Sequence, residues 1–170
     1  MNKVNDISQK ELTDVFKAER PHLLRYARYR LGNNDDAEDV LQDVFLKLHT
    51  RLSNTDGFQI NDLRSYLFRT LTNVCTKCQS KASRLKTVPL DEKMNLADTM
   101  ANSKDEADYR RIAQLLTEIP EEQAEVIRLR IYGDNSFAEV AEILSLPLPT
   151  VKSRFLYGIE KLRRATIQKH

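Results

Sequence analysis

The sequence predicts an all-α protein made of two small helical domains joined by a flexible linker, the second a helix-turn-helix. Three observations carry this. The 170 residues include only 4 Gly and no Trp, with few β-branched runs, a composition that favours helices. Apolar residues recur at helical spacing in both halves. Between the halves, residues 87–104 hold Pro89 and open a polar, weakly periodic run, "LDEKMNLADTMANSKDEAD", which reads as a tether. With 41% hydrophobic residues the chain can bury one ordinary core or two small ones. The expected divisions are 1–86, 87–104 and 105–170.

The first element, "LTDVFKAERPHLLRYARYRLG", gives Leu12, Val15, Phe16, Leu23, Leu24, Ala27 and Leu31 as an apolar face, with Pro21 as an irregularity and Gly32 as a C-cap. In "DDAEDVLQDVFLKLH", Ala37, Val40, Leu41, Val44, Phe45 and Leu48 fall at i, i+3, i+4, i+7, i+8 and i+11, a stripe wide enough to face a core. Acids occupy the opposite face. Asp35 and Asp36 complement the helix dipole, but Asp39, Gln42 and Asp43 lie one or two turns in, where that explanation no longer reaches. "SNTDGFQIND" is turn-rich and reads as a loop. "LRSYLFRTLTNVCTKCQSKASR" resumes helical spacing, with Leu63, Tyr66, Leu67, Thr70, Leu71 and Val74 inward and later turns polar and basic.

The second half opens with a helix over about 105–118, whose apolar face is Ile112, Leu115, Leu116 and Ile119. Pro120 suits the first position of the next helix, Glu121 and Glu122 its first turn, and Gly133 its end. "SFAE" is a capping box: Ser136 caps free amides while Glu139 reaches back to the cap. The short helix over 137–144, the tight "SLPLP" connection and a longer basic helix form a helix-turn-helix. Pro147 falls in the turn and Pro149 in the first turn of the last helix, where a missing amide costs little. Val151, Phe155, Gly158 and Leu162 recur at i, i+4, i+7 and i+11 and face inward. Thr150, Lys152, Ser153, Leu156 and Tyr157 then face out beside Arg154, a mixture that suits phosphates, base edges and thymine methyls.

A net charge of +2 hides segregation. Residues 63–90 carry Arg64, Arg69, Lys77, Lys81, Arg84 and Lys86 without an acid, whereas 31–46 carry Asp35, Asp36, Glu38, Asp39 and Asp43 without a base. Two different partner surfaces are implied. Residues 1–15 lack an apolar signal core and no run approaches a membrane span, so a cytoplasmic protein without stable membrane insertion is expected. Cys75 and Cys78 form C-x-x-C, but no second Cys pair exists and His22, His49 and His170 lack ligand spacing. Two ordinary helix cysteines, with no metal and no cofactor, is the reading, and a redox or metal sensor the alternative. An enzyme is not expected: no nucleophile with a base, metal cluster or Gly-rich phosphate loop is present.

These residues match a family. "IPEEQAEVIRLRIYGDNSFAEVAEILSLPLPTVKSRFLYGIEKLRR" resembles the promoter-reading region 4 of bacterial sigma factors, particularly the small extracytoplasmic-function group, at Pro120, Gln123, Val126, Leu129, Arg130, the 137–144 helix, 150–154, and 161–163. "DDAEDVLQDVFLKL" resembles the family's region 2 at Asp36, Ala37, Glu38, Asp39, Gln42 and Phe45, and "LRSYLFRTLTNV" the helix after it at Arg64, Tyr66, Leu67 and Asn73.

The resemblance implies a subunit that binds core RNA polymerase and directs it to promoters. Asp36, Glu38, Asp39, Gln42 and Asp43 would dock on the clamp of the largest core subunit. Asn73, Lys77, Lys81 and Arg84, with the loop over 53–62, would read and open the minus-ten element of promoter DNA, where a displaced strand needs positive charge. Thr150, Lys152, Ser153, Arg154, Leu156 and Tyr157 would read the minus-35 element as duplex. Phe58, Tyr66 and Phe68 read as core. Neither an N-terminal inhibitory region nor a middle domain is expected, and an anti-sigma factor is an expected partner. Where relatives often carry an Arg-Ala-Arg-like run, this chain has Tyr157, Gly158 and Ile159, which implies weaker general DNA affinity. A stand-alone helix-turn-helix regulator is the alternative function.

Overall fold

The computed structural model describes residues 7–54, 62–84 and 104–168. They form seven α-helices and one π-helical turn, with no strand among them.

Helix α1, Gln9–Leu31, starts at Ser8, whose hydroxyl accepts from the Glu11 amide at 3.1 Å. It ends at Gly32, whose φ of +86° is the left-handed conformation that glycine adopts without a Cβ penalty. The helix runs through Pro21 rather than breaking there. Leu12 on one side of the proline and Leu23, Tyr26 and Ala27 on the other are all buried, so shared packing offsets the lost backbone bond.

Helix α2, Asn34–Asn54, is capped by Asn33, whose Oδ1 accepts from the Asp36 amide at 2.7 Å. The apolar stripe packs inward as expected, with Ala37, Val40, Leu41, Val44 and Leu48 buried and Phe45 half-buried. Ser53 and Asn54, expected in the following loop, belong to this helix. Most of that loop, including Phe58, lies outside the described residues.

Helix α3, Leu63–Arg84, starts from Asp62, whose carboxylate accepts from the Arg64 amide at 3.1 Å and the Ser65 hydroxyl at 2.7 Å. Leu67, Leu71 and Val74 are buried, and Leu63, Tyr66 and Thr70 half-buried, as the spacing predicts. Ser65, Phe68, Thr72 and Cys75 are buried too, so α3 is covered on two sides. The second cover is the other half of the chain.

That half consists of α4 (Lys104–Thr117), α5 (Glu121–Ile127) running into the π turn Arg128–Tyr132, α6 (Phe137–Leu144) and α7 (Leu148–Gln168). One apolar core joins the halves: Tyr26, Phe68, Leu71 and Cys75 share it with Val126, Leu129, Val140, Ile143 and Val151. A smaller cluster of Leu116, Ile119, Ala124 and Ile127 lies under α7.

Gly133, expected as a helix-ending glycine, closes the π turn through its amide to Arg128 O at 2.9 Å, but the left-handed residue is Asp134 at φ +55°. The reason for glycine is space. A Cβ at 133 would stand 2.8 Å from Leu129 O and 3.0 Å from Phe68 Cε1.

Candidate functional site

The outward face of α7 is built by three local devices. The capping box at α6 is present in full, with Glu139 N to Ser136 Oγ at 3.1 Å and Ser136 N to Glu139 Oε1 at 2.9 Å. Ser145 takes a left-handed φ of +55° to end α6, and Leu146 N bonds Ala141 O at 2.9 Å, turning the chain within three residues. Pro147 O then accepts from Val151 N at 3.2 Å, which starts α7 with Pro149 in its first turn.

Val151 anchors α7 in the core, and Phe155 packs edge-on to Phe137 at 5.1 Å. Gly158 lets the helix approach α5 closely: a Cβ there would sit 2.7 Å from Ile127 Cδ1 and 3.1 Å from Gln123 Cβ. With that face pinned, Lys152, Ser153, Leu156 and Tyr157 are exposed together. Leu156 and Tyr157 are 67% and 63% exposed, an adjacent apolar pair in water beside a lysine. Thr150 and Arg154 are half-buried, and Arg154 leans toward Glu122 at 3.9 Å, so these two stand at the edge of the face.

On α3, Asn73 and Lys77 are exposed one turn apart. Lys81 and Arg84 continue the same helical stripe by register, and their side chains lie outside the described residues. Arg69, one turn before Asn73, donates to Glu142 O at 2.6 Å and so faces the second half of the chain.

On α2, Asp36, Asp39, Gln42 and Asp43 are exposed while Glu38 is half-buried and paired with Arg20. Lys47 stands 3.4 Å from Asp43. Phe16, Arg20, Glu38, Asp39, Leu41, Gln42 and Phe45 line a cleft of about 300 Å³ between α1 and α2. Leu46, beside this face, is 54% exposed. Sequence reasoning missed the cleft and Leu46, although Leu46 falls off the apolar stripe and was visible as such. Among the described residues, no helix is long and apolar enough to cross a membrane.

Two family models match the chain, Sigma-70 region 2 over residues 15–84 and Sigma-70, region 4 over residues 115–164. The acidic face of α2 and the stripe on α3 fall in the first, and the exposed face of α7 in the second. The chain is 30% identical over 152 residues to the ECF RNA polymerase sigma factor SigM of Mycobacterium tuberculosis, covering 88% of this chain and 74% of that one. The chain belongs to the ECF RNA polymerase sigma factors.

To the ECF RNA polymerase sigma factor SigW of Bacillus subtilis it is 27% identical over 177 residues, covering 91% and 86% of the two chains. Its fold resembles CnrH, solved in complex with the cytosolic domain of CnrY, at a TM-score of 0.67 and 22% identity over 99% of this chain and 95% of that one. It also resembles the sigma factor RpoE solved with the anti-sigma factor NepR from Bartonella quintana, at 0.66 and 20% identity over 91% and 96%. As a sigma factor, the protein binds RNA polymerase and promoter DNA.

Proposed function

We propose that this sigma factor acts in the cytoplasm as a binding subunit without chemistry of its own. Units 1–86 and 105–170, joined by 87–104, divide the work. The acidic face of α2, with Asp36, Glu38, Asp39, Gln42 and Asp43, docks on the clamp of the largest core subunit, and the cleft between α1 and α2, lined by Phe16, Leu41 and Phe45, receives an apolar side chain from it. Asn73, Lys77, Lys81 and Arg84 hold the separated minus-ten strand, where cations along a helix stripe track a phosphate backbone.

The outward face of α7 enters the major groove at the minus-35 element. Lys152 and Ser153 reach phosphates or base edges, Leu156 and Tyr157 give apolar contact, and Thr150 and Arg154 flank them. An anti-sigma protein regulates the complex, a reading supported by RpoE having been solved with such a partner.

The observation that carries this reading is the pairing of an exposed acidic α2 face with an exposed Lys-Ser-Leu-Tyr face on α7, each inside its own sigma region. Purified protein added to core polymerase tests it. Initiation at a defined promoter is expected from the pair and from neither alone, and tight operator binding by a dimer of the isolated protein would overturn it. Asp39→Lys with Asp43→Lys is expected to abolish core binding with unchanged circular dichroism; unchanged affinity would remove α2 as the docking face. Promoter response should survive replacement of both cysteines by Ser.

A further inference from the structure

The distance between α5 and α7 is set at one residue. α7 lies over the small cluster of Leu116, Ile119, Ala124 and Ile127, with Phe155, Ile159 and Leu162 packed against it. Gly158 is buried among those three side chains. Among the described residues, the polar link between the two helices is Arg154 to Glu122, at 3.9 Å and with Glu122 exposed, too weak a tie to fix a helix. Steric contact therefore decides how near α7 stands to α5.

A Cβ at 158 would meet Ile127 Cδ1 at 2.7 Å and Gln123 Cβ at 3.1 Å, whereas carbon atoms rest about 3.5–4.0 Å apart. Ile127 is buried within its cluster, and Gln123 Cβ is fixed to the α5 backbone. With a side chain at 158, α7 is the part that yields, by roughly 1 Å at that point.

The N-terminal end of α7 is held, because Val151 is fully buried in the larger core. Movement at 158 is then a tilt about Val151, seven residues or about 10 Å away, of roughly 5°. The displacement grows along the helix, from about 0.1 Å at Lys152 and about 0.3 Å at Ser153 to about 0.7 Å at Leu156. Leu156 stands about 200° round the helix from Gly158, so motion away from α5 carries this exposed side chain outward. An apolar contact forfeits much of its attraction over a change of that size, or clashes, whereas Lys152 and Ser153 near the pivot keep theirs.

We propose that Gly158 is a positioning residue for promoter reading: by letting α7 settle on Ile127 it sets the depth at which Leu156 meets the major groove, and so the base pair preferred there. The inference rests on the reading of α7 as the groove helix. It makes a buried glycine, which touches no DNA, a determinant of which minus-35 sequences are used.

The test measures binding of the full chain with core polymerase to a promoter library in which every minus-35 position is varied. Gly158→Ala should change the preference at the base pair under Leu156 by about fourfold, the worth of one buried methyl group, and leave the other positions unchanged. The salt slope should stay constant, because no charge is added or removed. Ile127→Val removes Cδ1, and combined with Gly158→Ala it should restore most of the wild-type preference. In a Leu156→Ala background, Gly158→Ala should shift nothing at that base pair. Ile127→Ala, with the glycine kept, lets α7 sink toward α5 and should alter the same base pair, which tests the inference even if Gly158→Ala does not fold.

A uniform loss across the library, or unchanged preference in Gly158→Ala and Ile127→Ala with circular dichroism intact, would overturn the positioning role. So would a shift that persists without the Leu156 side chain. A wild type with no preference among minus-35 sequences would instead sink the reading of α7 as the groove helix, and this inference with it, while leaving the contact between α5 and α7 as described.

Discussion

The arginines between the two regions and the lysines on the outer faces of α3 and α7 are the same kind of residue used in opposite ways. Arg64, Arg30 and Arg128 are 19%, 7% and 2% exposed, each matched to carboxylates or carbonyls. Lys77 and Lys152 stand in solvent on stripes that face away from the core. A cation aligned with protein acceptors holds the two halves together, while a cation turned outward remains available to a phosphate. Which of the two a basic residue becomes is decided by the element that packs opposite it.

The largest expected effect is at Glu125. Glu125→Ala takes the buried carboxylate from Arg30 and Arg128, leaving Glu121 at 2.6 Å from Arg128 and 3.7 Å from Arg30, and removing one partner from such a set costs about 3 kcal/mol. The thermal midpoint should fall by about 10 °C. Glu122→Ala, one turn of the same helix away and 75% exposed at its side chain, should leave the midpoint unchanged. Equal shifts for the two variants, by calorimetry, would erase the distinction between buried and exposed charge.

Alkaline pH tests the same buried zone without mutation. Burial first, then the nearby Glu125 and Cys78, pushes the Cys75 thiol up from 9.0 to about 12, with Arg30 and Arg128 opposing. Burial likewise raises Tyr109 from 10.0 to about 12, and pushes Tyr26 well above its usual range. The folded chain therefore keeps protons that the unfolded chain releases. This stability is complete below about pH 9 and is lost as pH rises toward about 12. Cys75→Ser should flatten the decline in thermal midpoint across that window, and an equally steep decline would show that Cys75 takes no part.

Gly158 sharpens the comparison within a single helix. On propensity alone, Gly158→Ala should stabilise α7 by about 1 kcal/mol. The new Cβ would stand 2.7 Å from the buried Ile127 Cδ1, and overpacking of that kind costs about 1–3 kcal/mol. A net loss of about 1 kcal/mol is expected in denaturant unfolding, while Tyr157→Ala on the outward face changes nothing measurable. A stabilised Gly158→Ala would mean that the close approach is not needed.

Much of the fold and of the outward surfaces was legible because each follows from local rules. The α2 stripe, the Ser136 capping box and the inward register of Val151, Phe155 and Gly158 depend on residues within two or three turns of one another. The polar network between the two halves was not legible for the opposite reason. Arg64 and Arg30 read as ordinary surface bases until α5 and α6, far along the chain, supply Glu125, Glu139 and the Gly133 carbonyl. The signal that existed was indirect: Phe68 and Cys75 are apolar yet off the α3 stripe. A second buried face on α3 accounts for both.

The smallest effect belongs to Lys152. It is exposed on α7, away from the polar network between the halves, so Lys152→Ala should leave thermal stability unchanged. What changes is DNA binding by the polymerase complex. If Lys152 neutralises one phosphate, the slope of log affinity against log salt falls by about one, with equal loss on every minus-35 sequence. If it reads a base edge, the loss concentrates on promoters carrying that base and the slope stays nearly constant. Ser153→Ala serves as a companion, since a hydroxyl contact carries no charge and should not move the slope. A variant that binds all promoters as the wild type does, at every salt concentration, would place Lys152 outside the groove and reduce the reading face to Ser153, Leu156 and Tyr157.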